Sequence, residues 1–397
     1  MSPQIRRRLV IFVLVPLIIC GLAVLVTVIP YTKYTRGFYQ LLVFALIADL
    51  AAGFTGVWRN VGTVIATTVF GLAVLELACA ATEPDQAYYP RKFSTSQPIL
   101  GWGPATPGVY HSFRRGKGRT LIYSVDYTID DHLLRPTQSA SAGPTVAFFG
   151  DSFIFGQGLP ESETLPQIYA DLTGRKVHVL NFGFPGYGPQ QFLRAIETGL
   201  FNPLLTDTKL FVYETAAWHI ERASCRAGFM ARAPRYEMHN GIPIFTGACA
   251  QGLKRVFNDI IASGALYQRF ILPMLNGVTA DDVEIYIAEF ARAAQLVKQK
   301  YGARLVILYL AGGQAFPNLA DGATYLAKSG FTDVKIEARL REAGVDVIDA
   351  KVSPQSIPAD ASLAIPGDGH PSAAANRARA EMLKDYLARA PTTATAK

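Results

Sequence analysis

The chain has 397 residues, half of them hydrophobic and only 17% charged, with a formal net charge of +7. That apolar content excludes an intrinsically disordered protein, which has too little surface to bury. The positive charge is scattered, with no basic cluster interleaved with aromatics, so nothing argues for a nucleic-acid partner.

Residues 1–82 read as a membrane region. Leu9 to Ile29 is 21 residues without a charge (29 − 9 + 1), enough for a bilayer at ~20 residues per helix. Arg6-Arg7-Arg8 precede it, as they would a signal peptide. The run is longer than a signal-peptide core of roughly 7–15 residues, however, and Pro30-Tyr31-Thr32-Lys33 offers no small-x-small cleavage site. Leu41 to Val57 and Val61 to Ala81 follow, joined by Trp58-Arg59-Asn60, so three transmembrane helices are predicted. Arg6, Arg7, Arg8 and Arg59 fall on one side and Lys33 and Arg36 on the other. The positive-inside rule then puts the N-terminus in the cytoplasm. After three crossings the rest of the chain lies outside that membrane.

Asp49 and Glu76 lie inside the predicted spans. A charge at that depth costs at least ~2.5–3.5 kcal/mol on insertion scales, so each needs a partner. In one reading Asp49 pairs with a hydroxyl of a neighbouring helix and Glu76 sits near the outer interface. In the other, both form a docking surface for another membrane protein, one that delivers an acyl group.

Residues 83–143, rich in Pro, Gly and Tyr, read as a linker with a few short strands, Leu121 to Ile129 among them. The basic run Arg114-Arg115-Gly116-Lys117-Gly118-Arg119 reads as a solvated loop, with lipid phosphate or an acidic glycan as the alternative contact.

An apolar strand, Pro144 to Phe149, leads into the small-residue turn Phe149-Gly150-Asp151-Ser152-Phe153. A helix is predicted to start at Glu163-Thr164-Leu165-Pro166. A strand, Val177 to Leu180, then runs into Asn181-Phe182-Gly183-Phe184-Pro185-Gly186-Tyr187-Gly188-Pro189. Leu210 to Tyr213 is the next strand, followed by Glu214-Thr215-Ala216-Ala217-Trp218-His219-Ile220-Glu221-Arg222. Residues 223–280 form an irregular insertion, with Asn240-Gly241 as a hairpin turn and a place beside the active-site mouth. Cys225 and Cys249 fall in it, either bridged, as an oxidising compartment permits, or as two free thiols. Cys20 and Cys79 lie in the spans and act there as small apolar residues.

Asp282 to Tyr301 and Thr332 to Ala343 have helical periodicity. Arg304 to Leu310 and Val345 to Ile348 read as strands, and Ser372 to Ala388 as a closing helix. Strands alternating with helices imply an α/β fold with a parallel sheet covered on both faces. Residues 391–397 read as a disordered tail. Without CxxC or HExxH, and with scattered histidines, no metal or cofactor is expected.

Just before the closing helix stands Asp368-Gly369-His370-Pro371. A serine hydroxyl is a poor nucleophile at neutral pH until an imidazole takes its proton and a carboxylate fixes the imidazole tautomer. Ser152, His370 and Asp368 supply those three groups.

The order of serine turn, glycine turn, aspartate and histidine resembles the SGNH (GDSL-like) hydrolase superfamily over residues 144–390. The resemblance implies a three-layer α/β/α sandwich with the site at the carboxyl ends of parallel strands. It implies Ser152 as nucleophile, His370 as general base and Asp368 as its orienting acid, with the backbone N–H groups of Ser152 and Gly186 as oxyanion donors. The family's third block, Gly-x-Asn-Asp, is absent after Leu210 to Tyr213, and a missing oxyanion donor typically costs ~10²–10³ in rate. Gln190, Trp218, His219 and Arg222 are the candidate substrate-binding groups near that gap, with His219 equally readable as a hydrogen-bonded structural histidine. His219-x-x-Arg222, Leu100-Gly101-Trp102 and Tyr127-Thr128-Ile129 are similar to a membrane-linked bacterial branch of the superfamily.

The implied function is a membrane-anchored serine esterase or deacylase. It would act on the O-acyl ester of a small molecule, lipid or polysaccharide outside the membrane. An O-acyltransferase modifying an envelope polysaccharide uses the same triad and stays open, as does a catalytically inactive glycan-binding or scaffold protein.

Overall fold

The apolar runs at the N-terminus become helical wherever no residue demands otherwise. The computed structural model describes residues 10–28, 33–83, 87–90, 92–262, 264–275, 277–313 and 325–389. The chain groups into two units, Met1–Gln86 with Asp259–Leu275, and Ala87–Asn258 with Asn276–Lys397.

In the first unit, Thr35–Gly53 (19 residues) and Gly56–Thr82 (27 residues) are long and apolar enough to cross a membrane. Val10–Leu14 is a π-helical turn that runs into an α-helix over Val15–Val28, a shorter apolar element. The ends of the first predicted span, Leu9 and Ile29, lie outside the described residues, so two helices rather than three meet the length. The predicted joint at Trp58-Arg59-Asn60 is also corrected. The break falls at Phe54 and Thr55, both extended, with Gly56 at φ +61°, and Trp58 to Asn60 occupy the first turns of the next helix. Gly-Phe-Thr-Gly opposes a helix more strongly than Trp-Arg-Asn.

The two acids of these helices stand in different surroundings. Asp49 Oδ2 is buried without a hydrogen-bond partner among the described residues. Glu76 is buried, and its carboxylate accepts the N–H groups of Ala265 and Leu266.

In the second unit the strands are β1 (Ser94–Gln97), β2 (Gly101–Pro104), β3 (Gly108–Arg115), β4 (Leu121–Ile129), β5 (Thr145–Phe149), β6 (His178–Asn181), β7 (Thr208–Thr215), β8 (Pro234–His239), β9 (Ile242–Ala248), β10 (Arg304–Tyr309) and β11 (Asp346–Asp349). Five of them form one parallel sheet in the order β11-β10-β7-β5-β6. Counted along the chain the order is 2-1-3-4-5, which reverses between β5 and β7. In open α/β sheets, ligands bind outside the carboxyl ends of the strands at such a reversal.

Alternate side chains go to opposite faces. Phe149, Phe211, Tyr213, Ile307 and Tyr309 share a cluster with Phe192 of helix Pro189–Thr198 and Phe290 of helix Ala280–Tyr301. Phe148, Val212, Val306 and Leu308 share another with Leu165 of helix Leu165–Leu172 and Leu383 of helix Ala373–Arg389. Both faces are covered, and the three α/β/α layers follow. Thr279 and Asp282 form a reciprocal cap that starts Ala280–Tyr301, and Ser372 caps the last helix through Ala375 N–H. The buried pair Arg379–Glu214 (3.2 Å) ties that helix to β7, and burial pushes the Glu214 carboxyl up to about 7.

The linker strands pair antiparallel, β1 with β2 and β3 with β4, and β8 pairs with β9 through Asn240-Gly241, both at positive φ. The predicted insertion 223–280 is divided: residues 259–275 group with the apolar helices. Cys225 and Cys249 are bridged, with Cα atoms 5.3 Å apart. Denatured, unreduced protein should therefore label two thiols, Cys20 and Cys79, and all four only after reduction. Labelling of four before reduction would contradict the bridge.

Candidate active site

The apolar strand β5 has to end where the chain turns polar, and Asp151 makes that turn. Its Oδ1 accepts the Phe153 N–H at 2.8 Å, starting the one-turn helix Ser152–Phe155. Ser152 is the first residue of that helix, so its N–H has no partner within it. The other end of the turn is held by Arg135, whose buried guanidinium donates to the carbonyls of Phe155 (2.7 Å), Gly156 (2.8 Å) and Leu159 (2.7 Å). Arg135 also stacks on the Tyr127 and Phe155 rings.

Across from this turn, Ile365 N–H bonds His370 O at 2.7 Å and closes the loop that carries Asp368 and His370. His370 Nε2 lies 2.8 Å from Ser152 Oγ, and His370 Nδ1 lies 2.5 Å from Asp368 Oδ2. With the proton on Nδ1, the ring donates to Asp368 and accepts the Ser152 O–H. Phe153 packs edge-on to the imidazole. Burial would raise the Asp368 carboxyl, but His370 and Arg114 hold it below the ordinary carboxylate value. All three triad residues are buried with small exposed portions. The three predicted residues thus come together as a hydroxyl, an imidazole and a carboxylate in one line of contacts.

Arg114 was read from sequence as part of a solvated loop. Instead it reaches from β3 to bond Asp368 Oδ1, the oxygen His370 does not use. The Asp368 side chain is fully buried and that of Arg114 is 19% exposed.

Where the third sequence block lacks its Asn, a buried network stands. His219 Nε2 and Arg222 Nη1 both donate to Asp151 Oδ2, at 3.0 and 2.7 Å. Arg222 also donates to Tyr187 O at 2.6 Å, and Gln190 Nε2 donates to Arg222 O at 2.6 Å. His219 Nδ1 lies 3.0 Å from Thr215 Oγ1, which lies 3.0 Å from Tyr286 Oη. The chain of bonds is complete when His219 is neutral with its proton on Nε2. Burial and the Arg222 cation push the His219 imidazole down to about 4, against the pull of Asp151. Burial alone would raise Asp151, yet Arg222 and His219 hold its carboxyl well below the usual range.

The four candidate substrate-binding residues therefore separate. Gln190 and His219 are fully buried and bonded inward, and the geometry of His219 is that of a hydrogen-bonded structural histidine. Arg222 is mostly buried in the same network, and Trp218 packs its ring against Phe153.

Gly186 has φ +84°, a conformation that favours glycine, and its N–H donates to no group among the described residues. A Cβ there would lie 3.2 Å from the Trp102 ring and 3.5 Å from the Phe229 ring. Trp102 Nε1 donates to Pro185 O at 3.0 Å and Tyr187 Oη donates to Trp102 O at 2.8 Å, so β2 pins the glycine loop. Phe184 N–H to Gly150 O (3.3 Å) sets that loop beside the serine turn. Sequence reasoning quoted Asp151 without giving it a role and passed over Arg135. Apart from the Phe153 N–H that Asp151 caps, their hydrogen-bond partners lie 20 to 71 positions away, so nothing local announces them.

No family model and no curated protein matches the chain. Among solved structures, the chain is similar to a member of the lipolytic protein G-D-S-L family from Veillonella parvula. The two are 15% identical, over 62% of this chain and 100% of that one, with a TM-score of 0.37. A carbohydrate acetylesterase family member from Sinorhizobium meliloti is 16% identical, over 62% and 97%, with a TM-score of 0.35. A lipase from a goat rumen metagenome is 13% identical, over 61% and 97%, with a TM-score of 0.36.

Two outcomes follow from the site itself. His219 is depressed from 6.5 to about 4 in the fold, so the unfolded chain takes up its proton first as pH falls. The stability difference between wild type and His219→Gln should be full above pH 6.5, shrink down to about pH 4 and level off below it. A difference independent of pH in urea titrations would contradict a neutral buried His219. Arg114→Leu should lower kcat about 10-fold with KM little changed, since a hydrogen bond to a charged group is worth ~1.5–3 kcal/mol. Arg114→Lys should recover much of that loss, and an unchanged kcat in Arg114→Leu would remove the link to Asp368.

Proposed function

We propose that the protein is a membrane-anchored serine esterase acting on O-acyl esters outside a bacterial inner membrane. The observation that carries the chemistry is the unbroken line from Ser152 Oγ to His370 (2.8 Å) to Asp368 (2.5 Å). Ser152 Oγ attacks the ester carbonyl while its proton passes to His370 Nε2. The N–H groups of Ser152 and Gly186 receive the oxyanion. His370 then protonates the leaving alkoxide, and the acyl group stays on Ser152. A water, deprotonated by the same nitrogen, attacks the acyl-enzyme, releasing the acid and restoring the serine hydroxyl. Asp368 keeps the imidazole oriented and stabilises it when charged.

Two observations support the placement. The helices Thr35–Gly53 and Gly56–Thr82 have the length and composition of membrane spans. The Cys225–Cys249 bridge suits an oxidising compartment. The substrate class that fits is an acylated lipid, polysaccharide or small molecule of the envelope, with water as acceptor.

Wild type in detergent should hydrolyse p-nitrophenyl acetate and be labelled by a fluorophosphonate probe. Ser152→Ala should lose both with its fold intact, keeping at most the ~10³–10⁴-fold acceleration over water that binding and an oxyanion hole supply. Labelling that persists in Ser152→Ala would put the nucleophile elsewhere. Asp368→Asn should be less damaging than His370→Ala, because the acid orients the base without taking its proton. Equal and complete loss in both would give Asp368 a structural role instead.

A further inference from the structure

A carboxylate within an apolar helix needs donors, and Glu76 finds them in a distant part of its own unit. Its two oxygens accept the N–H groups of Ala265 (2.7 Å) and Leu266 (2.9 Å), and the side chain is buried. Gly264 permits this approach: a Cβ there would sit 3.1 Å from both Glu76 oxygens. One turn further on, Arg269 Nη1 donates to Thr82 Oγ1 at 3.0 Å, at the end of the same helix. Cys79, Ala80 and Ala265 close a small apolar cluster with Tyr34 and Leu266.

Only one side of the segment is used by these contacts. Ile261, Phe270, Ile271 and Met274 are exposed, Met274 by 77%. Leu72 and Leu75 of the helix, within about one turn of Glu76, are exposed and apolar too, so the two surfaces have the same character.

The segment is 17 residues (275 − 259 + 1), in short helical pieces. That falls short of the ~20 residues a transmembrane helix needs. The chain before and after it groups with the second unit. A short apolar segment that carries a cation, Arg269, suits the headgroup–acyl boundary of a bilayer.

We propose that residues 259–275 are a membrane-interface element whose Phe270, Ile271 and Met274 enter lipid, attaching the catalytic unit to the bilayer through a second stretch of chain. The occupant of this face is lipid because it continues the apolar exterior of helix Gly56–Thr82. The inference rests on the membrane reading of that helix, and the test separates the two.

In a Cys20→Ala, Cys79→Ala background, single Phe270→Cys, Met274→Cys, Val64→Cys and Val334→Cys proteins are labelled with a nitrobenzoxadiazole fluorophore. All four positions are exposed. Full-length protein is then placed in phosphatidylcholine–phosphatidylglycerol vesicles carrying a nitroxide either near the headgroup or near the acyl terminus. The probes at Phe270 and Met274 should lose most of their emission to the shallow nitroxide and little to the deep one. The probe at Val64 should be quenched within the acyl region, and that at Val334 by neither. Probes at Phe270 and Met274 that behave like the one at Val334, with Val64 quenched, would overturn the interface element alone. Disulfide cross-linking of two copies through Met274→Cys would then give the face to a second copy. An unquenched Val64 would overturn the membrane reading, and this inference with it.

Discussion

A carboxylate sealed away from water must be met by donors from the protein itself, and at Asp151 those donors fix the geometry of the whole site. One oxygen starts the serine turn through Phe153 N–H, and the other takes His219 and Arg222 from the end of β7. Arg222 carries the constraint on to Tyr187 O, in the loop after β6. Three strand ends on the two sides of the sheet's reversal are thereby joined through one side chain. Ser152 and Gly186 sit beside the two outer anchor points, so their spacing is set by buried charge rather than by flexible loops. Truncating one member of a buried, hydrogen-bonded charge cluster leaves the others unpaired, which typically costs ~3–5 kcal/mol.

The triad is built differently, by a short loop laid against a rigid turn. Asp368 and His370 are two positions apart and bond each other directly, so the loop brings base and acid as one piece. What the loop cannot supply is a partner for the second oxygen of Asp368. Arg114 provides it from the β3–β4 pair, which lies outside the parallel sheet altogether. The decorated N-terminal part of the second unit is thus tied to the candidate site: Arg135 and Arg114 reach the serine turn and Asp368, and Trp102 reaches the glycine loop.

Features governed by local chemistry were legible in the sequence. Strand β4 matches its apolar alternation and Asn240-Gly241 makes its turn. The meeting of Ser152 with His370 spans 218 positions and is expected from the family resemblance, not from any local pattern. What stayed hidden depends on reach across the chain. Arg114 meets Asp368 over 254 positions, and Glu76 meets Ala265 over 189, without a local pattern at either end. Polarity in a sequence does not reveal burial: His219 and Gln190 lie inside, where His219 Nε2 meets Asp151 and Gln190 Nε2 meets Arg222 O. The joint between the apolar helices was placed by charge at Arg59, whereas the backbone breaks at the Gly-Phe-Thr-Gly step just before it.

The central claim is that Ser152 carries an acyl group during turnover. The most direct measurement is acid quenching of the full-length protein during turnover of an acetyl ester, followed by peptide mass mapping. The account predicts one acetyl group on the peptide containing Ser152, removed by prolonged incubation and absent from the Ser152→Ala protein. Acetyl found on another residue, or none on any peptide while product accumulates, would contradict it.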